Sequence, residues 1–147
     1  MKKLFLIPGI LLCMAGRSQT LSPVEKKIIA AVNERLVYAE EILKESVNIN
    51  SGTLNVAGVK KVGDLFAKEF EKAGMQPEWV SLPDSLRRAG HLVATRKGNK
   101  GKKLFLIGHL DTVFEPDMPP NPYRRLNDST ATGQGVNDLK GGDVIVI

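Results

Sequence analysis

The side chains best suited to chemistry in this sequence lie in two short motifs near its C-terminal end. The first motif, residues 108–113, is G-H-L-D-T-V, and the second, residues 133–142, is G-Q-G-V-N-D-L-K-G-G. Together they supply an imidazole, that of His109, and two carboxylates, those of Asp111 and Asp138. Imidazole nitrogens and carboxylate oxygens are usual ligands of zinc in hydrolases, so these residues predict a divalent-metal site.

Helices followed by strands are expected to position these motifs. The run Ser22-Pro23-Val24-Glu25 is typical of a helix start with a capping box, and apolar residues then recur at helical spacing to about Ser46. A second helix is expected from about Val56 to Ala73, ended by Gly74. Strands are predicted over residues 76–82, 91–96 and 103–107, and a helix begun by Lys140 should follow the glycine turn at residues 133–135.

The order of these elements predicts an α/β layer structure. Residues 104–107, Leu-Phe-Leu-Ile, are apolar on both faces, as a central strand covered by helices would be. The first motif follows this run directly. We therefore expect His109 to lie at the end of a buried strand and Asp138 at the start of a helix, facing each other across one cavity.

The two motifs, in this order and at this spacing, resemble those of the M20 family of zinc metallopeptidases. The resemblance is best to the glutamate-carboxypeptidase-like and acetylornithine-deacetylase-like branches. The family pattern is an apolar strand, G-H-x-D-T-V, about two dozen residues and then G-x-G-x-x-D-x-K-G-G. Its specificity rests on residues 104–142, although a looser likeness, including Ser51-Gly52-Thr53, covers most of the chain. The resemblance implies a three-layer α/β/α zinc-peptidase-like catalytic domain.

The resemblance also implies a role for each residue of the candidate site. His109 would bind one zinc ion, Asp138 would bridge two zinc ions through its two oxygens, and Asp111 would be a catalytic residue that orients His109 without binding metal. These roles are physically reasonable because residues two apart on a strand share a face. A carboxylate behind a ligand histidine selects its tautomer, and a two-oxygen carboxylate can hold cations about 3.5–4 Å apart.

The family uses more residues than this sequence contains. It adds a Glu-Glu pair, a further acidic ligand, a distant C-terminal histidine and an inserted dimerisation domain. One histidine and one bridging carboxylate cannot complete two tetrahedral zinc sites, and the motifs offer no general base. We therefore interpret residues 19–147 as the N-terminal portion of the catalytic domain and expect no peptidase activity from this fragment with added zinc. The apolar end, residues 144–147, is expected to be an exposed stub.

The functional prediction is a secreted zinc-dependent hydrolase that cleaves an amide bond by metal-activated water. It would act as a carboxypeptidase or an N-acyl-amino-acid deacylase on a small peptide or N-acyl amino acid, and its full-length form could be a homodimer. One alternative is a truncated, non-catalytic paralogue that binds a metal or a partner. A metallophosphoesterase is less favoured because its Asp-x-His and Gly-Asn-His-Asp motifs are absent. A dinucleotide-binding site is excluded because its G-x-G-x-x-G motif needs a third glycine where this sequence has Asp138.

Other polar residues near the motifs have simpler interpretations. His91 begins a predicted strand without an acidic neighbour, which favours a structural or exposed side chain. Lys140 and Asp143 are predicted to be solvated residues on a helix surface. Glu115 and Asp117 either line the rim of the site or belong to a polar loop. Asp138 could cap its helix as well as bind metal.

Residues 1–18 resemble a secretory signal peptide. Two lysines precede an apolar stretch, residues 4–16, that is too short for a mature membrane-spanning helix, and small residues favour cleavage after Ser18. Leu12 is bulky where a lipoprotein signal before Cys13 needs a small residue, which disfavours a lipid anchor. We therefore predict a secreted or periplasmic protein with no stable membrane span after cleavage.

Composition restricts the remaining possibilities. The 147 residues, 42% of them hydrophobic and 25% charged, suit one globular domain. Cleavage would remove Lys2, Lys3 and Arg17 and lower the net charge from +5 to +2, which does not support binding to nucleic acid. Cleavage would also remove the single cysteine, so ligands for two expected Zn²⁺ ions must come from His, Asp and Glu.

Overall fold

The computed structural model describes residues 20–147, so the predicted signal peptide and Cys13 lie outside the described residues. The described residues fall into two compact units, one that ends at Glu34 and one that comprises Arg35–Ile147. Its helices are α1 (Pro23–Asn48), α2 (Val56–Lys72) and α3 (Gly141–Val146). Its strands are β1 (Gln76–Val80), β2 (His91–Thr95), β3 (Arg124–Asn127) and β4 (Thr130–Thr132). A short 3₁₀ helix (Asp84–Leu86) joins β1 to β2, and a kinked turn (Val136–Lys140), non-helical at Asp138, precedes α3.

The described part of the first unit contains the start of α1. The predicted capping box is confirmed, since the backbone N–H of Glu25 donates to the Ser22 hydroxyl at 3.2 Å and that of Ser22 donates to the Glu25 carboxylate at 2.7 Å. These two bonds satisfy amide groups that have no partner within the helix. The apolar face predicted for α1 is not buried in this unit, where Ile28 and Val32 are exposed.

The core of the second unit forms where α2 meets the C-terminal part of α1. Ile42, Val62 and Phe66 are buried together. Several partly buried side chains surround them, namely Ile49, Leu65, Phe70, Leu92, Leu110, Val144 and Ile147. The prediction that residues 144–147 form an exposed stub is therefore wrong for Val144 and Ile147, which contact the core, and right for Ile145.

A two-stranded antiparallel sheet lies against α2. Strand β1 pairs with β2 so that Gln76 lies opposite Thr95 and Val80 opposite His91. The predicted strands, residues 76–82 and 91–96, end two residues later than β1 and one residue later than β2. A second antiparallel pair, β3 and β4, was not predicted, and its turn contains Asn127-Asp128-Ser129.

The predicted central strand at residues 103–107 is wrong. The segment has no regular secondary structure, and Leu104 and Phe105 are 81% and 83% exposed. A strand is stabilised by hydrogen bonds to neighbours and by cover on its faces, and no strand within residues 20–147 pairs with this segment. The described chain is thus a mixed α/β structure with two small sheets, and the three-layer architecture stays a prediction.

None of the helices within residues 20–147 is both long enough and apolar enough to cross a lipid bilayer. The division into a signal peptide and a portion of a catalytic domain stays a prediction.

Candidate metal centre

The first motif is held in place by the loop between α1 and α2. Gly52 and Thr112 form an isolated parallel bridge, in which the Thr112 N–H donates to Ser51 O at 2.8 Å and the Thr53 N–H donates to Thr112 O at 3.0 Å. A Cβ at Gly52 would lie 2.7 Å from the Phe114 carbonyl oxygen, so glycine permits this close approach. The backbone that carries His109 and Asp111 is therefore tied to residues 51–53.

His109 is oriented by Asp111 through one ring nitrogen. Its Nδ1 lies 3.0 Å from the backbone oxygen of Asp111 and 3.5 Å from carboxylate oxygen Oδ1 of the same residue. Both are acceptors only, so a proton on Nδ1 would be donated to them. In a neutral ring protonated on Nδ1, Nε2 would have the free lone pair that a metal ligand requires.

The other ring nitrogen of His109 faces the second motif. Its Nε2 lies 3.0 Å from Oδ1 of Asp138, whose side chain is 78% exposed. Partial burial lowers the pKa of His109, but hydrogen bonds to the Asp111 backbone and the Asp138 carboxylate outweigh it and raise the pKa above its ordinary value. The structure thus joins the two residues that the sequence predicted to face each other.

Two glycines shape the turn that brings Asp138 to the site. Gly135 has a φ of 69°, a left-handed conformation that favours glycine, and a Cβ there would lie 2.5 Å from Thr112 Cγ2. A Cβ at Gly133 would lie 2.4 Å from Val47 Cγ1. The glycines therefore let the second motif contact both the first motif and the end of α1. The peptide bond between Asp138 and Leu139 is cis.

Lys140 is buried, so its prediction as a surface lysine is wrong. Its side chain is fully enclosed, and Nζ donates to the backbone oxygens of Ser46 at 2.7 Å and Ile49 at 2.9 Å. Burial lowers the pKa of Lys140 to about 8, against a smaller opposing effect of Asp143. The ammonium satisfies carbonyl groups at the C-terminal end of α1, where a helix favours positive charge.

Asp143 is also buried, contrary to the prediction of a solvated residue. It is 8% exposed, its Oδ2 has no hydrogen-bond partner, and its Oδ1 is 2.0 Å from the position that a Cβ at Gly108 would occupy. Burial raises the pKa of Asp143 to about 6, and the charges of His109 and Lys140 only partly oppose it. The absence of a side chain at Gly108 therefore lets this carboxyl group fit beside the first motif.

Two residues that the sequence did not assign to the site connect its parts. Asn50 Nδ2 donates to Phe114 O at 2.9 Å and to Gln134 Oε1 at 3.2 Å, which links the loops of both motifs. Thr53 Oγ1 lies 2.6 Å from Asp111 Oδ2. Both residues belong to a polar turn between helices, a composition that signals side-chain hydrogen bonding but does not identify the distant partners.

The other candidates lie outside this cluster of contacts. His91 begins β2 and is exposed. Glu115 accepts a hydrogen bond from the Leu54 N–H at 3.1 Å, so it closes the loop before α2. Asp117 belongs to an exposed loop.

The donor atoms of His109 and Asp138 fit part of a zinc site. Two ligands of a tetrahedral zinc ion, each about 2.0–2.1 Å from the metal, lie about 3.3 Å apart. The observed separation of Nε2 and Oδ1 is 3.0 Å. Within residues 20–147, however, no group of three or more His, Cys, Asp or Glu side chains is arranged to hold a metal ion. The described residues thus present two donor atoms at a spacing compatible with one tetrahedral ion.

Comparison with known proteins relates the chain to a peptidase. It is 30% identical over 105 residues to carboxypeptidase G2 of Pseudomonas sp. (strain RS-16), a match that covers 71% of this chain. The chain spans about a quarter of the length of this relative, 25%. No family model matches the chain. The similarity is distant, and it gives weak support for a relationship to the peptidase family.

Proposed function

We propose that this chain carries the first metal-binding elements of a zinc-dependent hydrolase of the M20 type, which cleaves an amide bond of a small peptide or an N-acyl amino acid. The proposal goes beyond the distant similarity to a carboxypeptidase. One observation carries it: His109 Nε2 and Asp138 Oδ1 lie 3.0 Å apart, while acceptor atoms of Asp111 face the other ring nitrogen.

Each residue has a defined task in this proposal. His109 Nε2 and one oxygen of Asp138 would hold a zinc ion, and the second oxygen of Asp138 is free for a second ion. Asp111 keeps the proton of the imidazole on Nδ1 and so maintains the lone pair on Nε2. Bound zinc would polarise the amide carbonyl and lower the pKa of a water molecule.

The described residues supply only two of these donors, so we expect weak zinc binding and no peptide hydrolysis by this chain alone. Zinc binding without hydrolysis is also what a non-catalytic, metal-binding relative would show. Binding therefore tests the site, whereas the hydrolytic reaction rests on the resemblance and on the distant relative.

Zinc titration of the purified chain tests the site directly. We expect the affinity to fall at least about tenfold in His109→Ala and in Asp138→Ala, since even a partner of a ligand histidine is worth about 10–100-fold. His91→Ala is the matched control, because it removes the other histidine of the chain from an exposed position in β2. Equal affinity in all four proteins would exclude His109 and Asp138 as ligands.

A further inference from the structure

The loop before α2 places a hydroxyl group against the carboxylate that orients the candidate ligand histidine. Thr53 Oγ1 lies 2.6 Å from Asp111 Oδ2 and 3.3 Å from Thr112 O. Both neighbours are acceptors, and a hydroxyl group has a single proton to donate. The shorter contact to the charged oxygen is the stronger bond, so the proton points at Asp111.

This bond leaves the two oxygens of Asp111 with different partners. Oδ2 accepts from Thr53, and Oδ1 is the oxygen that faces His109 Nδ1 at 3.5 Å. The Asp111 side chain is 35% exposed, so water can compete for a carboxylate that nothing else holds. The Thr53 hydroxyl group limits rotation of the carboxylate and keeps Oδ1 beside the ring.

We propose that Thr53 is a positioning residue of the metal centre, whose hydroxyl group acts on His109 through Asp111. This inference rests on the proposed function, because the orientation of the Nε2 lone pair affects function only if His109 binds a cation. Thr53 itself touches neither His109 nor Asp138 in the contacts described above.

The backbone of Thr53 has a separate, structural role that the test must set aside. Its N–H donates to Thr112 O at 3.0 Å, and this bond does not involve the side chain. Thr53→Val preserves the backbone bond and the side-chain shape while removing the hydroxyl group. Thr53→Ser retains the hydroxyl group and should behave like the native protein.

The first measurement is the nitrogen NMR spectrum of the His109 ring in the metal-free protein, at a pH where the imidazole is neutral. We expect Thr53→Val to shift the two ring nitrogen signals towards the Nε2–H tautomer, which the contact with Asp138 favours, and Thr53→Ser to leave them unchanged. Thr130→Val, an exposed threonine of β4, is the matched control. A general loss of stability would change the melting temperature without changing the tautomer.

The second measurement is zinc affinity. The Asp111 backbone oxygen also accepts from Nδ1 and remains in the variant, so we expect a loss at the low end of the range for partners of ligand histidines, about tenfold. In an Asp111→Asn background the loss caused by Thr53→Val should disappear, because the residue through which Thr53 acts has been changed.

Unchanged ring signals in Thr53→Val, or Thr53→Ser behaving like Thr53→Val, would overturn the proposal. The proposal would also be overturned if Thr53→Val lowered zinc affinity as strongly in the Asp111→Asn background as in the native protein. If Thr53→Val does not fold, Thr53→Ala removes the same hydroxyl group and carries the test. Absence of zinc binding by the native chain would refute the proposed function alone, because the metal-free spectra still decide whether Thr53 acts on His109.

Discussion

At the scale of single residues, the candidate site is a chain of short polar contacts with the His109 imidazole at its centre. Thr53 contacts Asp111, Asp111 contacts Nδ1 of His109, and Nε2 contacts Asp138. Each contact restricts the next, so the ring presents a defined nitrogen to the second motif. Residue types and spacing predicted His109, Asp111 and Asp138 from the sequence. Thr53 stood within the resemblance but had no role, because its partner is 58 residues away.

The buried carboxyl group of Asp143 makes stability depend on pH. The folded protein releases this proton at about pH 6, and the unfolded chain releases it near the ordinary value of 3.8. Between these values the folded state binds more protons, so the free energy of unfolding falls as pH rises from about 4 to 6. His109 and Lys140 face this group and reduce the shift without reversing it.

We therefore expect Asp143→Asn to raise the free energy of unfolding near neutral pH by about 1–3 kcal/mol, because an uncharged amide replaces a buried carboxylate. The gain should shrink towards zero as pH falls to about 4. Urea unfolding of both proteins across this pH range measures it. A gain independent of pH would show that the carboxyl group titrates normally in the folded state.

Lys140 should contribute to stability through the two carbonyl groups it satisfies. Lys140→Met keeps most of the side-chain volume but leaves the oxygens of Ser46 and Ile49 without these partners. We expect a loss of about 1–3 kcal/mol in the free energy of unfolding, chiefly from the Ile49 oxygen, because the Ser46 oxygen also accepts from the Ile49 N–H at 3.2 Å. Lys60→Met, an exposed lysine of α2, is the control and should have little effect. Equal stabilities would show that water replaces the ammonium.

At the scale of elements, the two long helices follow closely from local sequence. The capping box begins α1, and Gly74, with a φ of 76°, follows the end of α2. Strands β1 and β2 were also predicted, to within two residues. The hairpin β3–β4 was missed because its strands are short and mostly exposed, so they lack the apolar alternation that identifies a strand.

Contact between α2 and β1 depends on a glycine in the middle of the helix. A Cβ at Gly63 would lie 2.4 Å from Cζ2 of Trp79 and 3.1 Å from Cδ1 of Leu110. Alanine is favoured over glycine in a helix by about 1 kcal/mol, but overpacking against a rigid ring costs about 1–3 kcal/mol. We expect the steric cost to exceed the gain in helix propensity, because the partly buried Trp79 ring would have to shift away from α2.

We expect Gly63→Ala to lower the free energy of unfolding by about 1–2 kcal/mol. Trp79 is the single tryptophan of the chain, so its fluorescence reports on this contact directly. Lys61→Ala, on the exposed side of α2, is the control and should change neither the free energy of unfolding nor the Trp79 fluorescence. A more stable Gly63→Ala protein with unchanged fluorescence would show that the added methyl group fits beside the Trp79 ring without displacing it.

At the scale of the second unit, Arg35–Ile147, the largest departure from expectation is the apolar segment at residues 104–107. Four consecutive large apolar side chains are exposed there. A contiguous exposed apolar patch of this kind favours association between molecules. We expect Phe105→Lys to reduce self-association, measured by light scattering, without lowering the melting temperature.

Leu54→Lys serves as the comparison for this experiment. Leu54 is also exposed, but it lies outside the apolar segment, so its replacement should leave self-association nearly unchanged. If Phe105→Lys instead destabilised the fold, the side chain would have to be buried in solution, contrary to the structure.

The same six residues, K-K-L-F-L-I, occur at positions 2–7 and 102–107. They predicted part of a signal peptide at the first position and a central strand at the second. The structure describes only the second, where the predicted strand does not form. Identical residues thus led to different predictions because their surroundings differ, and local sequence alone cannot decide whether an apolar run is covered.

Sequence alone determined the helices, the first sheet and the identity of the three candidate site residues, because these depend on spacing and caps within a few residues. The tertiary structure decided which polar groups are buried. Lys140 reaches the end of α1 across more than ninety residues, and Asp143 lies beside Gly108. Burial depends on which distant segments meet. A local pattern does not contain that information, and it predicted solvent exposure for both residues.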